Sequence, residues 1–179
     1  PLVLQGVKIW NEWPHARYVE KSGDNITLDQ FVKRIADDEA FAAEWGDLGP
    51  VYGKQWVDWP TYDPVEGGLF RRGRGINQVA EVIESVRSNP GSRRHIIEGW
   101  NVADVPRMAL PPCHKTYQYH VSTCLDGKPY LNGILYQRSC DVALGLPFNL
   151  WSGALLLRMI AQQVDMQPGE FVWMGGDTH

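Results

Sequence analysis

The sequence feature that most constrains the fold is a long apolar run near the C-terminal end of the chain. Residues 150–164 are apolar nearly all round, and a helix of this composition is buried among other elements. Two partly alternating segments precede it, 116–123 and 130–138, and they predict strands joined by a hairpin at Asp126-Gly127. The pattern predicts an α+β fold: a twisted mixed sheet flanked by helices, with a long central buried helix.

Helices are also predicted in the first half of the chain. Thr27 and Gln30 form a capping box, which predicts a helix over 28–44 with Phe31, Ile35 and Phe41 on its apolar side. Residues 77–88 place apolar side chains on one face and predict a second helix. The remaining segments are an apolar run at 7–13, a loop at 63–75, an extended run at 95–101 and a last strand at 170–174.

Composition limits the class of protein. A length of 179 residues without a visible boundary predicts one catalytic domain over 1–179. A net charge of −4 gives no nucleic-acid footprint. Three cysteines, an odd number without metal-ligand spacing, favour a reducing cytoplasm over a disulfide framework. No apolar run approaches the roughly 20 residues that span a bilayer, and no signal peptide is visible.

The candidate nucleophile is Cys113 in Pro111-Pro112-Cys113-His114. A thiolate nucleophile needs a fixed backbone, access to substrate and nearby positive charge, and the double proline supplies the rigidity. A buried structural cysteine is the alternative for such a pair taken alone. A metal site of Cys113, His114 and His120 is weaker, because no fourth ligand lies at a suitable spacing.

Two other groups are chemically suggestive. Glu12 lies between Trp10 and Trp13, and burial there would favour its protonated form and make it a usable proton relay; a surface glutamate is the alternative. Arg93-Arg94 at a strand entrance suits an anionic ligand, since guanidinium groups bind phosphate through two hydrogen bonds. A solvated edge is the alternative for that pair.

Several motifs together resemble thymidylate synthase over about residues 7–179. They are Ile9-Trp10-Asn11-Glu12-Trp13, Gly46 through Trp56 with Trp59, Ser92-Arg93-Arg94, Trp100-Asn101, Pro112-Cys113-His114, Gln137-Arg138-Ser139-Cys140-Asp141, Leu144-Gly145-Leu146-Pro147-Phe148-Asn149 and Gly175-Gly176-Asp177-Thr178-His179. The resemblance implies a methyltransferase in which dUMP accepts a one-carbon unit and a hydride from 5,10-methylenetetrahydrofolate, without a metal. It also implies a homodimer.

The resemblance implies a role for each matching residue. Cys113 would attack C6 of uracil, with Arg138 favouring its thiolate form, while Glu12 would move protons with Asn101 and His114. Asn149 would read the O4 and N3–H edge of uracil. The other implied dUMP contacts are Gln137, Arg138, Ser139, Asp141, His179 at the sugar, and the partner subunit's Arg93 and Arg94. The implied folate contacts are Trp56, Trp59, Leu110, Asp141, Leu144, Gly145 and Phe148.

The chain also departs from the family pattern. Lys115 stands where the family commonly has a small or apolar residue, Trp151-Ser152-Gly153 replaces Ala-Ser-Tyr, and the 28–44 helix resembles an insertion. The hairpin around Gly127 is longer than typical. Because the chain starts at Pro1 and stops after Thr178-His179, we expect a fragment with weak or no turnover; an ordinary rate of dUMP conversion would contradict this.

Two alternative functions stay open at this stage. A pyrimidine nucleotide hydroxymethylase would share the early steps but let water trap the methylene group, and Trp56 and Trp59 favour the methylase because they would shield that intermediate. An inactive fragment or RNA-binding homologue is the alternative of another class, and the acidic net charge argues against it.

Overall fold

The computed structural model describes residues 11–179, so the predicted 7–13 segment lies largely outside the described residues. The described chain forms two compact units. One comprises the residues up to Val51 together with Ala103–Pro111, and the other comprises Tyr52–Val102 and Pro112–His179. The expectation of a single catalytic domain stays a prediction.

The first unit contains three helices: α1 (Glu12–Ser22), α2 (Leu28–Asp37) and α3 (Glu39–Trp45). The capping box is confirmed, because the Thr27 hydroxyl accepts from the Gln30 N–H and the Gln30 side chain accepts from the Thr27 N–H. The prediction of one helix over 28–44 is wrong. Asp38 adopts an extended conformation (φ −125°, ψ 102°) and its carboxylate caps α3 at Phe41 N–H.

Aromatic side chains form the core of this unit. Tyr18 packs edge-on against Phe41 and Trp45, with ring centroids 5.1 Å and 5.0 Å away, and Phe31 and Ile35 are buried beside them. The predicted apolar side of Phe31, Ile35 and Phe41 is therefore confirmed. The same unit includes a short 3-10 helix at Val105–Arg107.

The second unit contains the sheet. Its elements are α4 (Tyr52–Val57), β1 (Tyr62–Val65), β2 (Leu69–Arg72), α5 (Gln78–Ser88), β3 (His95–Glu98), β4 (His114–Thr123), β5 (Pro129–Cys140), α6 (Leu146–Gln163) and β6 (Gln167–Thr178). The predicted loop at 63–75 is wrong in part, because β1 and β2 pair there as an exposed antiparallel hairpin. Glycines with positive φ at Gly67 and Gly68 allow the tight turn between them.

The main sheet is mixed, as predicted. Its strand order is β3-β4-β5-β6; β3, β4 and β5 pair antiparallel, and β6 pairs parallel to β5 after the α6 crossover. The predicted hairpin between 116–123 and 130–138 is confirmed, with Gly127 at positive φ in its turn. The α5 prediction is also confirmed, since Val82 and Val86 are buried and Asn77 caps the helix.

Helix α6 departs from its predicted burial. It starts at Leu146 rather than near residue 150, and only one face is buried, through Gly153, Leu157, Ile160 and Ala161. Trp151 and Met159 are 68% and 55% exposed. Burial of the whole helix was expected because apolar residues occur on all its faces. Within the described residues, however, the sheet covers only one side of α6.

Over the part of the chain that the structure describes, the sheet therefore has one face under helices and one open face. The open face carries Ile96, Gln118, Ile134 and Val172, which lie side by side across the four strands, and a second row of Thr116, Tyr136 and Met174. Within residues 11–179, none of the helices combines the length and hydropathy needed to cross a bilayer.

Candidate active site

Cys113 lies immediately before β4, where two hydrogen bonds hold its main chain and the residue before it is buried. Its N–H donates to the Tyr52 hydroxyl at 2.7 Å, its carbonyl accepts from the Arg138 N–H at 2.9 Å, and the preceding Pro112 is buried. Cys113 itself is half-buried. The rigidity expected of the double proline is thus reinforced by contacts from α4 and β5.

Arg138 is the cation beside this thiol. Its Nε donates to the Pro112 carbonyl at 2.9 Å, and its Nη2 lies 3.9 Å from Cys113 Sγ. The guanidinium carbon lies 5.3 Å from the centroid of the Trp100 ring, within range of a cation–π interaction. A cation at this position favours the thiolate form of a cysteine.

His114 follows the thiol and is neutral at pH 7. Burial lowers its pKa from 6.5 to about 4, although a hydrogen bond with Asn149 acts in the opposite direction. The imidazole Nδ1 lies 3.1 Å from the Tyr117 hydroxyl. His114 thus links two neighbours as an uncharged ring and supplies no positive charge to Cys113.

Asn149, in the first turns of α6, has an amide of defined orientation. Gln137 Nε2 donates to Asn149 Oδ1 at 2.8 Å and to the Ser139 carbonyl at 2.9 Å, while Gln137 Oε1 accepts from Trp173 Nε1 at 2.9 Å. Gln137 is only 1% exposed. The side chain therefore orients Asn149 from the interior with its own amide bonded to protein groups, and its contact with dUMP stays a prediction.

Asp141 builds the turn between β5 and α6. Its carboxylate accepts from the Leu144 N–H at 2.7 Å, and its carbonyl accepts from Gly145 N–H and Leu146 N–H at 2.9 Å. A Cβ on Gly145 would lie 3.2 Å from that carbonyl oxygen, so this turn approaches its own backbone closely. The turn places Asn149 beside β5.

Cys140 is a second thiol, at the end of β5. It is 2% exposed, and its Sγ lies 3.5 Å from the Asp141 carbonyl oxygen and 4.0 Å from Asn149 Oδ1. Its pKa is raised, chiefly by burial and further by the charges of Asp141 and Cys113. This thiol is held in its protonated form.

The residues predicted to form a folate wall divide into two groups. Leu144 and Phe148, at the start of α6, are 71% and 63% exposed. Trp56 instead packs into the core, edge-on against Tyr117 with centroids 5.7 Å apart, and its buried Nε1 has no hydrogen-bond partner among the described residues. Trp56 is thus partly buried against the core, and its contact with folate stays a prediction.

Trp59 lies at a different opening. It pairs with Ile76 in an isolated β-bridge and lines a cavity of about 380 Å³ together with Arg94 and Ile96. Neither Cys113 nor Asn149 lines this cavity. Arg93 and Arg94 are both exposed where the chain enters β3.

Three further predicted residues lie in the same unit as Cys113. Ser139 is half-buried on β5. His179 is exposed, and its main chain pairs with Cys140 and Val142 through bonds of 3.0 Å and 2.9 Å. Asn101 is buried and donates to Gln55 Oε1 at 3.1 Å.

Glu12 and Leu110 belong to the other unit. Of the two alternatives for Glu12, the structure shows the surface one: Glu12 is exposed in the first turn of α1. Trp13 beside it is 41% exposed. The structure thus gives Glu12 no buried surroundings, and its proton-transfer role stays a prediction.

Tyr52 is a site residue that the sequence did not single out. Its hydroxyl accepts from Cys113 N–H at 2.7 Å and from His114 N–H at 3.3 Å, and burial raises its pKa. The only sequence signal was an aromatic segment between Gly and Pro, which does not indicate which ring reaches a residue about 60 positions later.

Lys115 is directed toward β3. Its Nζ lies 3.5 Å from Glu98 Oε2 and 3.3 Å from Thr116 Oγ1. The Lys115 amine is therefore bound by the Glu98 carboxylate on β3.

The site thus combines an accessible thiol, a guanidinium group at 3.9 Å and an amide fixed by a buried glutamine, all on one α+β sheet unit. Within residues 11–179, no three His, Cys, Asp or Glu side chains are grouped so that they could hold a metal ion. Such a fold and site define a class of proteins whose sheet presents a cysteine beside an arginine.

Comparison with known proteins narrows the class. The thymidylate synthase family model matches residues 1–179, and the chain belongs to this family. Similar relatives named thymidylate synthase come from Novosphingobium aromaticivorans (68% identical), Rhizorhabdus wittichii (61%) and Sphingopyxis alaskensis (57%). Each alignment covers 100% of this chain but only 56–57% of the relative, so the chain spans little more than half of their length.

Proposed function

We propose that this protein carries out the thymidylate synthase reaction: reductive methylation of dUMP to dTMP, with 5,10-methylenetetrahydrofolate as donor of both the one-carbon unit and the hydride. The observation that supports it most directly is the Arg138 guanidinium 3.9 Å from Cys113 Sγ. The relatives carry the name of this activity, and membership of the family supports the same reaction here.

The chemistry begins with the thiol. Uracil C5 is a poor nucleophile until the Cys113 thiolate adds to C6, which forms the S–C6 bond and moves the electron pair of the C5–C6 double bond toward O4. The resulting enolate attacks the methylene carbon, which loses its bond to one folate nitrogen. Loss of the C5 proton and cleavage of the second carbon–nitrogen bond then give an exocyclic methylene, and hydride from the folate reduces it as the S–C6 bond breaks. The main-chain contacts from Tyr52 and Arg138 keep the sulfur in place for this addition.

Asn149 is proposed to select uracil. An amide offers one donor and one acceptor, which matches the O4 and N3–H edge of that base. Gln137 donates to Oδ1, and this bond distinguishes the oxygen from the nitrogen and defines how the amide faces the base. Neutral His114, in contact with Asn149, keeps charge away from this edge.

The phosphate is proposed to be bound by Arg138 and Ser139, with Arg93 and Arg94 supplied by the partner subunit. Both latter side chains are exposed at the start of β3. The open face of the sheet supports a homodimer, because Ile96, Tyr136 and Met174 are 41%, 41% and 52% exposed there and apolar faces of this kind are interaction surfaces.

The folate is proposed to bind against the start of α6. Leu144 and Phe148 are exposed there, close in sequence to Asn149, and offer apolar surface to a flat ring. Asp141 is the carboxylate at the same turn. A thiolate nucleophile also has to stay reduced, which fits a cytoplasmic setting with three unpaired cysteines.

The experiment is covalent trapping. The protein is incubated with 5-fluoro-dUMP and methylenetetrahydrofolate, denatured, and its intact mass and peptides are measured. We expect one adduct containing both ligands on the peptide with Cys113, and none with Cys113→Ser. Bound dUMP without an adduct would contradict the nucleophile, and failure to bind dUMP would contradict the substrate.

Product analysis separates the proposal from a hydroxymethylase. At the low rate expected of this chain, we expect the products to be dihydrofolate and dTMP in equal amounts. Formation of tetrahydrofolate with hydroxymethyl-dUMP would replace the proposal by the hydroxymethylase alternative.

A further inference from the structure

Glu98, at the end of β3, has a carboxylate with three partners and connects two separate pieces of the chain, 98–100 and 115–116. Its Oε1 accepts from the Trp100 N–H at 3.1 Å. Its Oε2 accepts from the Thr116 hydroxyl at 2.5 Å and lies 3.5 Å from Lys115 Nζ. The Glu98 side chain is 27% exposed, so both oxygens serve as partly buried acceptors.

These contacts lie on an irregularity of β4. The β4–β5 register shifts between His114 and Thr116, and Lys115 is the extra residue. The residue after β3 is hydrogen-bonded to this bulge, since the Gly99 N–H donates to the Lys115 carbonyl at 2.7 Å. A Cβ at Gly99 would lie 2.8 Å from the His114 carbonyl oxygen, so only glycine permits so close an approach.

From Glu98 the contacts continue to the thiol. The Trp100 main chain is held by Glu98, the Trp100 ring lies 5.3 Å from the Arg138 guanidinium carbon, and Arg138 Nη2 lies 3.9 Å from Cys113 Sγ. Arg138 Nε is also tied to the Pro112 carbonyl. The guanidinium is thus placed by a ring on one side and a carbonyl on the other.

We propose that Glu98 is a positioning residue for Cys113: its carboxylate holds Trp100, whose ring holds Arg138 against the thiol. The inference rests on the proposed function for its biological meaning. Lys115 and Thr116 serve the same arrangement by holding the Glu98 carboxylate on the bulge.

The readout is the rate of Cys113 alkylation by iodoacetamide as a function of pH, measured by peptide mass. Alkylation requires the thiolate and neither dUMP nor folate. A failure of this inference is therefore distinguishable from a failure of the proposed function, which the trapping experiment tests. Exposed Cys124 in the same sample is the internal reference.

Two variants of Glu98 separate position from charge. Glu98→Ala removes the acceptors for Trp100 and Thr116, and we expect Cys113 to react roughly threefold more slowly at neutral pH because a less restrained guanidinium favours the thiolate less. Glu98→Gln keeps an acceptor for Trp100 and a polar group for Thr116 but removes the charge, and we expect a rate close to that of the unmodified protein.

An unchanged rate in Glu98→Ala would overturn the inference, and so would equal changes in Glu98→Ala and Glu98→Gln, which would indicate a simple charge effect. Glu84→Ala and Glu84→Gln are the matched controls, because Glu84 is in a surface ion pair with Arg87 at 3.2 Å on α5. They should leave the rate unchanged.

A double-variant cycle tests the route through the ring. Trp100→Ala removes the contact with Arg138 and leaves Glu98 in place. If Glu98 acts through Trp100, Glu98→Ala in that background adds no further slowing. If the slowing in the double variant equals the product of the slowings in the two single variants, the proposed route is overturned.

Thermal unfolding of every variant verifies that it folds. Should Glu98→Ala not fold, Lys115→Met combined with Thr116→Val removes the other two partners of the carboxylate. The combination is expected to slow Cys113 alkylation in the same direction, and an unchanged rate would overturn the inference.

Discussion

Cys113 and Cys140 lie at the ends of adjacent strands, yet their surroundings are opposite. Cys113 is half-buried, with Arg138 Nη2 at 3.9 Å. Cys140 is 2% exposed, with oxygen atoms as its polar neighbours and a raised pKa. Reactivity of a cysteine depends on accessible, electropositive surroundings, and a few residues of displacement along the sheet separate a thiol beside a cation from a fully packed one.

The largest expected effect is the loss of covalent trapping in Cys113→Ser. A serine hydroxyl is a far weaker nucleophile without a base to activate it, so the 5-fluoro-dUMP adduct should disappear from the mass spectrum. Cys140→Ser, the matched variant, should still form the adduct at Cys113. An adduct in Cys113→Ser that maps to Cys140 would reverse the comparison.

His114, which contacts Asn149 between the two thiols, provides the second test. Its pKa falls from 6.5 to about 4 on folding, so the unfolded chain binds more protons in that interval and stability decreases as the pH falls from 6.5 toward 4. The resulting decrease in the free energy of unfolding between pH 6.5 and pH 4 is at most roughly 3 kcal/mol.

His114→Asn should remove that pH dependence, because an amide does not titrate. The measurement is the free energy of unfolding in urea at neutral and acid pH. Exposed His120→Asn serves as the control and should retain the acid-induced loss. If His114→Asn lost as much stability in acid as the unmodified protein, His114 would not be the buried neutral group described above.

Arg138→Gln should reduce the difference in alkylation rate between Cys113 and Cys140. Without the guanidinium, Cys113 loses the cation 3.9 Å from its sulfur, and its alkylation by iodoacetamide should slow roughly tenfold. The reaction of Cys140 should not change. Arg158→Gln, on the exposed side of α6, is the control; an equal slowing there would indicate a general effect of net charge.

The smallest expected effect concerns the support of Asn149 beside Cys140. Trp173→Phe removes the 2.9 Å hydrogen bond to Gln137 Oε1 and should lower the free energy of unfolding by about 1 kcal/mol. The alkylation rate of Cys113 should stay the same, because this bond does not touch Arg138. Trp151→Phe, at an exposed position, is the control. Slower alkylation of Cys113 in Trp173→Phe would show that the surroundings of Cys113 and Cys140 are coupled.

Local signals in the sequence were accurate where the chain interacts with itself nearby. The Thr27 capping box, the one-faced helix α5 and the hairpin at Gly127 all form as predicted, since each depends on residues a few positions apart. The resemblance also led to Cys113 and Arg138, and the structure brings the two together. Asp38, by contrast, is a second cap inside an apparently continuous helix.

Burial was the property that sequence reasoning estimated least well. Burial and a surface position were both open for Glu12, and it is exposed. Gln137, a predicted dUMP contact, is buried with its amide bonded to protein groups, and Trp56, a predicted folate contact, is partly buried against Tyr117. In each case the side chain's surroundings come from elements distant in sequence, which the residue's own neighbours do not report.

The amino-acid sequence alone determined which elements form and which chemical groups are available: a thiol after two prolines, a guanidinium, an amide and a mixed sheet to carry them. Tertiary structure decided how these groups act. The β4–β5 register places Arg138 opposite Cys113 across 25 positions of chain, and burial keeps His114 uncharged. Distance and desolvation set the charge state of a group, and both exist only after the strands have paired.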